Sequence, residues 1–424
     1  MLARHRRAVV ALALAAGALE LALLALWQRN GYWEYSDGVY AETARLLLHG
    51  QGLYTRVAAA QPPPVYLFSA ALLAIHDGLG SLRTGLALVE LVTGALVSVS
   101  VWRLCRRAPV AFAAGALVPL LPIALHEHAQ LLPETLAAPL LMGGALWSAR
   151  RERAFAAGVL LALATACKLA FALPALAVAI ASIARRRALE GLALGGAAMT
   201  GAALAVFGTA LWREAVRAQL QVGDASLHYV AGLLTQAAWN ELPLVVGAAM
   251  AVLLARRARD QALLRTLAAA AGAGLLLGLT LFKRGSYIDV FVVAEPPLLA
   301  LAACGATWAW ERSRSRWTVC VLGAILALQS LSLLVDPGDP AIARRPFASS
   351  GLEYVLSPAA VNRAVAAARR CPHGLAYSGP PFIAFLADRR MAGNQPDQFM
   401  IAHAPLDGSF ARRAAADSPR CPVQ

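Results

Sequence analysis

RRERAFAAGVLLALATACKLAFALPALAVAIASIARRR, residues 150–187, holds two apolar segments closed off at both ends by arginines. Its one lysine, Lys168, lies near the junction of the two segments. Arginine concentrates at the cytoplasmic face of a membrane, so a stretch bracketed in this way leaves that face and returns to it. Outward from this stretch the arrangement repeats. Arg4, Arg6 and Arg7; Arg103, Arg106 and Arg107; Arg256, Arg257, Arg259 and Arg265; and Arg312, Arg314 and Arg316 stand at the ends of alternate apolar runs between Val9 and Val335. The pattern predicts an all-α polytopic membrane protein of about 11 transmembrane helices.

Composition agrees. Of 424 residues, 59% are hydrophobic and 15% charged, where a soluble domain carries about a quarter charged. The net charge of +14 invites a nucleic-acid reading, but the arginines sit at helix ends and act to orient the chain. No nucleic acid is expected as a partner; membrane lipids are. Ala8 to Trp27 follows a basic start and resembles a secretory signal, yet it is long enough to span and no small-residue cleavage site follows it. It is read as a retained first helix leaving the cytoplasm.

A long first outer loop, 28–82, is predicted next, with helical spacing over Asp37–Leu48 and a short apolar piece, Val65–Ile75, on the outer membrane surface. Further spans are expected at Leu82–Leu104, Pro109–Leu125, Glu134–Ala149, the pair within Ala154–Ala184, Ala188–Leu211, Leu242–Ala255, Thr266–Phe282, Val290–Trp310 and Trp317–Val335. A second outer loop is expected over Trp212–Glu241. Residues 1–335 thus form a transmembrane domain and 336–424 a small extracytoplasmic C-terminal domain or tail. An exported tail would let Cys371 and Cys421 pair as a disulfide, while Cys105, Cys167, Cys304 and Cys320 read as packing residues. The protein is placed in the plasma membrane with its N-terminus cytoplasmic and its C-terminus outside.

Ionisable residues at membrane depth are costly and each one asks for a role. Glu34, Asp37 and Glu42 fall in the first outer loop, Glu134 opens a helix beside His126 and His128, and Glu295 lies within a span. Lys168 and Lys283, the two lysines of the chain, both fall at outer helix ends, where positive charge is least expected. An ammonium there either binds a lipid-linked phosphate as a point charge or snorkels to the interface. Asp37 either caps its helix or acts as a base toward a hydroxyl. Glu134 either decorates a helix N-terminus or joins Asp37 in holding a divalent cation or the acceptor, and no metal-ligand spacing decides between them. Glu295 serves either pairing in the bundle or function. His126 and His128 do not share a helical face, which argues against zinc.

Several stretches, in this order, resemble the GT-C superfamily of membrane glycosyltransferases, in particular the dolichyl- or polyprenyl-phosphate-mannose protein mannosyltransferase-like group that includes aminoarabinose transferases. They are Ser36-Asp37-Gly38-Val39-Tyr40-Ala41-Glu42, Gly50-Gln51-Gly52-Leu53-Tyr54, Gln61-Pro62-Pro63-Pro64-Val65-Tyr66, Leu132-Pro133-Glu134, Ala166-Cys167-Lys168, Phe282-Lys283-Arg284-Gly285-Ser286-Tyr287 and Ala294-Glu295-Pro296. The resemblance covers most of residues 1–335. It implies an inverting transfer of a mannose- or arabinose-like monosaccharide from a polyprenyl-phosphate donor to a hydroxyl of a protein, glycolipid or cell-wall glycan. It implies Asp37 and Glu134 as catalytic. Glu42, Tyr54, Tyr66, His128, Lys168, Lys283, Arg284, Tyr287 and Glu295 then become substrate-binding residues, the lysines meeting the donor phosphate. Many relatives carry a second acid directly after the catalytic aspartate, where this chain has Gly38, which weakens the case for a metal held by adjacent carboxylates. The rival reading is a transporter or flippase of lipid-linked glycans, which would call for inverted repeats and discontinuous helices in matched halves.

Overall fold

The computed structural model describes residues 35–126, 130–312, 316–335, 358–372, 375–404, 406–417 and 420–421, with a few positions between 17 and 25. The expected first helix falls almost wholly outside the described residues. Apart from a two-stranded parallel ladder, Ala376–Tyr377 against Arg420–Cys421, the described elements are helical.

Three described helices are long and apolar enough to cross a membrane: Leu79–Cys105, Arg185–Leu220 and Gln261–Phe282. Shorter apolar helices occupy Pro63–Ile75, Leu169–Ala181 and Arg316–Leu331. The bracketed stretch of 150–187 resolves into Ala154–Cys167 and Ala172–Ala181, with Lys168 extended between them (φ −155°, ψ 127°). Ala154–Cys167 packs on Pro133–Ser148 and Arg185–Leu211, and Ala172–Ala181 packs on Gln261–Leu276. Without a hydrophobic drive between lipid-bathed helices, small residues let backbones approach. A Cβ on Gly158 would lie 2.1 Å from the Ala188 carbonyl oxygen, and one on Gly305 would lie 2.1 Å from that of Gly247.

Three expected boundaries are corrected. The span Pro109–Leu125 is broken into Ala108–Ala116, a 3-10 turn Val118–Leu120 and Pro122–His126, because Pro119 and Pro122 lack the N–H a continuous helix needs. The stretch Trp212–Glu241 is not a loop. Trp212–Arg217 is a π-helical turn, and the helix expected at Leu242 already begins at Leu227 and runs to Leu253. Asn240 and Glu241 looked like loop residues but are buried in the bundle. Finally, Glu295 does not lie inside a span. It opens the helix Glu295–Trp310 ahead of Pro296 and Pro297, after a 3-10 turn Ile288–Phe291.

The C-terminal part forms its own small core around Phe382, Ile383, Met391 and Val361, and Cys371 and Cys421 are joined by a disulfide, Cα–Cα 5.9 Å. Its helix Pro381–Ala387 is seated on the helix Tyr35–Leu48. Gly38 makes that seat: a Cβ there would come within 2.4 Å of the Phe382 backbone nitrogen. Arg45 adds hydrogen bonds to the Phe385 carbonyl (3.1 Å) and the Asp388 carboxylate (3.1 Å). The space beside Gly38 is therefore filled by backbone from the C-terminal part.

Close helix approach through glycine should tolerate no side chain. Gly158→Leu is expected to lower the thermal unfolding midpoint, at a cost of about 1–3 kcal/mol or more. Gly196→Leu, with open space around its Cβ position, should leave the midpoint nearly unchanged. Unfolding scans of both variants in the same detergent check this.

Candidate functional site

A cavity of about 640 Å³ opens where the ends of several helices meet the C-terminal part. One wall is Tyr35, Ser36, Val39 and Tyr40 of the helix Tyr35–Leu48, with Gln61 and Pro62 beside it. The opposite wall is the loop Lys283-Arg284-Gly285-Ser286-Tyr287 and Asp289, and Lys168 stands at the floor. Asp397, Phe399 and Met400 of the C-terminal part close a third side. Large apolar side chains on the rim, Leu169, Leu220, Leu279 and Phe282, are exposed.

The loop carrying Lys283 owes its shape to a short antiparallel bridge with Asp224. The Ala225 N–H donates to the Phe282 carbonyl at 2.7 Å and the Arg284 N–H to that of Gly223 at 2.9 Å. The Tyr229 hydroxyl donates to the Ser286 carbonyl at 3.0 Å. Lys283 Nζ hydrogen-bonds Gln219 Oε1, and Gln219 Nε2 donates to the Ala60 carbonyl at 2.8 Å. Burial, with the charge of Lys168 nearby, pushes the Lys283 amine down to about 8.

Lys168 Nζ forms an ion pair with Glu134, which is fully buried in the first turn of Pro133–Ser148, and has Asp289 Oδ2 at 3.9 Å. Asp37 is 3% exposed and does not line the cavity. It is not a helix cap either: Arg83 Nη2 donates to Oδ2 at 2.6 Å and the Leu131 N–H to Oδ1 at 2.7 Å. Burial pushes the Asp37 carboxyl up, while Arg83 and the Leu131 N–H pull it down. Each of the two carboxylates, Asp37 and Glu134, is thus answered by its own cation. Among the described residues no group of three or more His, Cys, Asp or Glu side chains gathers for a metal ion.

Of the residues expected from sequence, Lys168, Lys283, Arg284 and Tyr287 meet at the cavity. Tyr54 and Tyr66 stand behind its wall: the Tyr54 hydroxyl donates to the Gln61 carbonyl at 2.7 Å and the Tyr66 hydroxyl accepts from the Gln61 N–H at 3.3 Å. Glu42 pairs with Arg45 at 2.6 Å, and burial pushes its carboxyl up to about 7. Glu295 accepts from the Ile123 and Ala124 N–H groups at 3.1 and 2.9 Å, away from the cavity. His128 lies outside the described residues. Asp224, Asp289, Asp397 and Phe399 line the cavity and were not singled out in the sequence. Asp289 carried a usable signal, two residues after Tyr287 in an apolar setting; Asp397 carried none.

Solved structures similar to this chain include two crystal structures of ArnT from Cupriavidus metallidurans. The fold is that of ArnT. The first, bound to undecaprenyl phosphate, matches with a TM-score of 0.64 at 13% identity, over 95% of this chain and 88% of that one. The second, ArnT in the apo state, matches with a TM-score of 0.59 at 16% identity, over 91% and 86%. No family model and no curated protein matches the sequence. The likeness spans nearly the whole chain, the C-terminal part as well as the helical bundle.

A buried ion pair broken on one side leaves a charge with no answer, at a cost of about 3–5 kcal/mol. Arg83→Met should therefore destabilise strongly, and Asp37→Asn combined with Arg83→Met should recover part of the loss. Chemical unfolding of the two variants in detergent decides it; equal stability of both would mean that the pair does not form.

Proposed function

We propose that the chain is a glycosyltransferase that moves a mannose- or arabinose-like monosaccharide from a polyprenyl-phosphate donor to a hydroxyl of a protein, glycolipid or cell-wall glycan. The observation that carries this reading is the cavity itself: Lys168, Lys283 and Arg284 share it with carboxylates, beneath a rim of exposed apolar side chains. A lipid-linked sugar phosphate has matching parts. Its tail stays in lipid against Leu220, Leu279 and Phe282, its phosphate meets the cations, and its sugar lies in the polar interior. The ArnT relative of the same fold was crystallised with undecaprenyl phosphate.

In the transfer, the acceptor hydroxyl gives its proton to a carboxylate and its oxygen bonds to the anomeric carbon. The bond from that carbon to the phosphate oxygen breaks, and polyprenyl phosphate leaves with the electron pair. Lys283, Arg284 and Lys168 stabilise the charge that develops on the phosphate. Asp37 is the base in this reading, reached when an acceptor displaces its contact with the Leu131 N–H. One observation favours a second assignment: Asp289 faces the cavity beside Lys168, whereas Asp37 does not. Glu134 acts through Lys168, holding the ammonium at the floor.

The reading places about 11 crossings in the membrane, the cytoplasmic arginine turns on one side and the cavity and C-terminal part outside. The disulfide between Cys371 and Cys421 supports an oxidising surrounding for that part.

Full-length protein in nanodiscs, given labelled polyprenyl-phosphate mannose or arabinose and an envelope extract, should release polyprenyl phosphate and transfer label. Asp37→Asn should lower turnover about a hundredfold or more if Asp37 is the base. Loss confined to Asp289→Asn would move the role to Asp289, and glycan movement across the bilayer without bond formation would replace the enzyme by a transporter.

A pH dependence follows from Lys283. Its amine is charged below about 8 and loses the charge above it. kcat/KM for the donor should hold below that pH and fall as pH rises through it. In Lys283→Arg the fall should vanish, because a guanidinium stays charged.

A further inference from the structure

The third side of the cavity belongs to the C-terminal part, and it is built as firmly as the other two. Gln395 anchors it: its Oε1 accepts the Ala58 N–H at 2.9 Å and its Nε2 donates to the Arg56 carbonyl at 2.7 Å. The Tyr35 hydroxyl accepts the Phe399 N–H at 3.1 Å and donates to the Pro396 carbonyl at 3.4 Å. The Phe399 ring rests where Gly285 has no side chain; a Cβ there would lie 2.6 Å from Phe399 Cε1, and the backbone φ of +80° favours glycine as well. The loop that carries Lys283 and Arg284 is thereby seated directly on the helix Gln398–His403.

Asp397 starts that helix. Its Oδ1 accepts the Met400 N–H at 3.0 Å, which leaves Oδ2. The residue is 7% exposed and lines the cavity. Burial pushes its carboxyl up to about 6, so it is ionised at neutral pH. Three other buried carboxylates at this end of the protein have cations: Asp37 has Arg83, Glu42 has Arg45 and Glu134 has Lys168; Asp224, which also lines the cavity, is exposed, and Asp407 has Arg213 at 3.7 Å. Asp397 has no ion pair among the described residues. A buried carboxylate that faces a cavity without a cation is offset by hydrogen-bond donors brought by a ligand. An aromatic ring two residues along supplies an apolar face. A monosaccharide carries both features, hydroxyl donors at its edge and C–H groups on its face.

We infer that Asp397 and Phe399 form the sugar-recognising wall of the cavity, with Asp397 accepting hydrogen bonds from hydroxyls of the transferred monosaccharide. This rests on the lipid-linked donor proposed above and deepens it: the C-terminal part selects the sugar, while the cations of the bundle hold the phosphate.

The test uses full-length protein in nanodiscs and compares the affinity of bare undecaprenyl phosphate with that of undecaprenyl phosphate loaded with a panel of hexoses and pentoses. Wild type should bind at least one loaded lipid about tenfold or more tighter than the bare lipid, the gain expected of a hydrogen bond to a buried charge. Asp397→Asn keeps an oxygen to cap the Met400 N–H, so it should unfold at the wild-type temperature, bind bare lipid as wild type does and lose the gain. Phe399→Leu should lose it too, which covers a failure of the first variant to fold. Asp407→Asn, a cap elsewhere in the same part, should change neither affinity. Retention of the full gain in Asp397→Asn, or no loaded lipid preferred by wild type, overturns the inference. Absence of binding even to bare lipid removes the lipid-donor reading itself.

Discussion

The ion pair between Lys168 and Glu134 is the contact on which the cavity end of the protein depends. An ammonium and a carboxylate at this depth are tolerated only together. Lys168 interrupts the helix pair Ala154–Cys167 and Ala172–Ala181, and Glu134 opens Pro133–Ser148, so their pairing fixes the ends of three helices at one level. Asp289 at 3.9 Å draws in the turn ahead of Glu295–Trp310. The same rule operates next door, where Arg83 and Asp37 lock the helix Tyr35–Leu48 to Leu79–Cys105. Glu295 answers a different demand: its carboxyl takes the N–H groups of Ile123 and Ala124, left without helical partners by the proline break.

Against this background of answered charge, the cavity stands out as the place where charge is left for something else. Lys283, half-buried, and Arg284, exposed, line the cavity with Lys168, and Asp397 lines it from the C-terminal part. Gly38 joins the two halves of this arrangement. By leaving room for the Phe382 backbone it lets the C-terminal part sit down on the first described helix.

Much of the bundle was legible because lipid imposes a simple grammar of apolar runs and arginine ends. Leu79–Cys105, Pro133–Ser148 and the two segments around Lys168 lie close to their expected limits. The stretch Trp212–Glu241 misled for a physical reason. Its polar residues suggest an outer loop, whereas Asn240 and Glu241 are buried in a protein interior that accepts polar groups. The lysines were legible as exceptions in an arginine-rich chain. Asp37 was legible as a residue under constraint, yet which face of its helix looks into the cavity is set by docking on Leu79–Cys105 and the C-terminal part, and a linear pattern holds no record of that. Asp397 sits in a polar segment with no periodic signal, and only the fold brings it to Lys283.

The central claim is that this cavity receives a lipid-linked phosphate. The most direct measurement is an electron cryo-microscopy structure of the full-length protein in nanodiscs with saturating undecaprenyl phosphate. The account predicts phosphate density held by Lys283, Arg284 and Lys168, with the tail leaving between Leu220 and Leu279. Phosphate bound elsewhere, or an empty cavity at saturation, would contradict it.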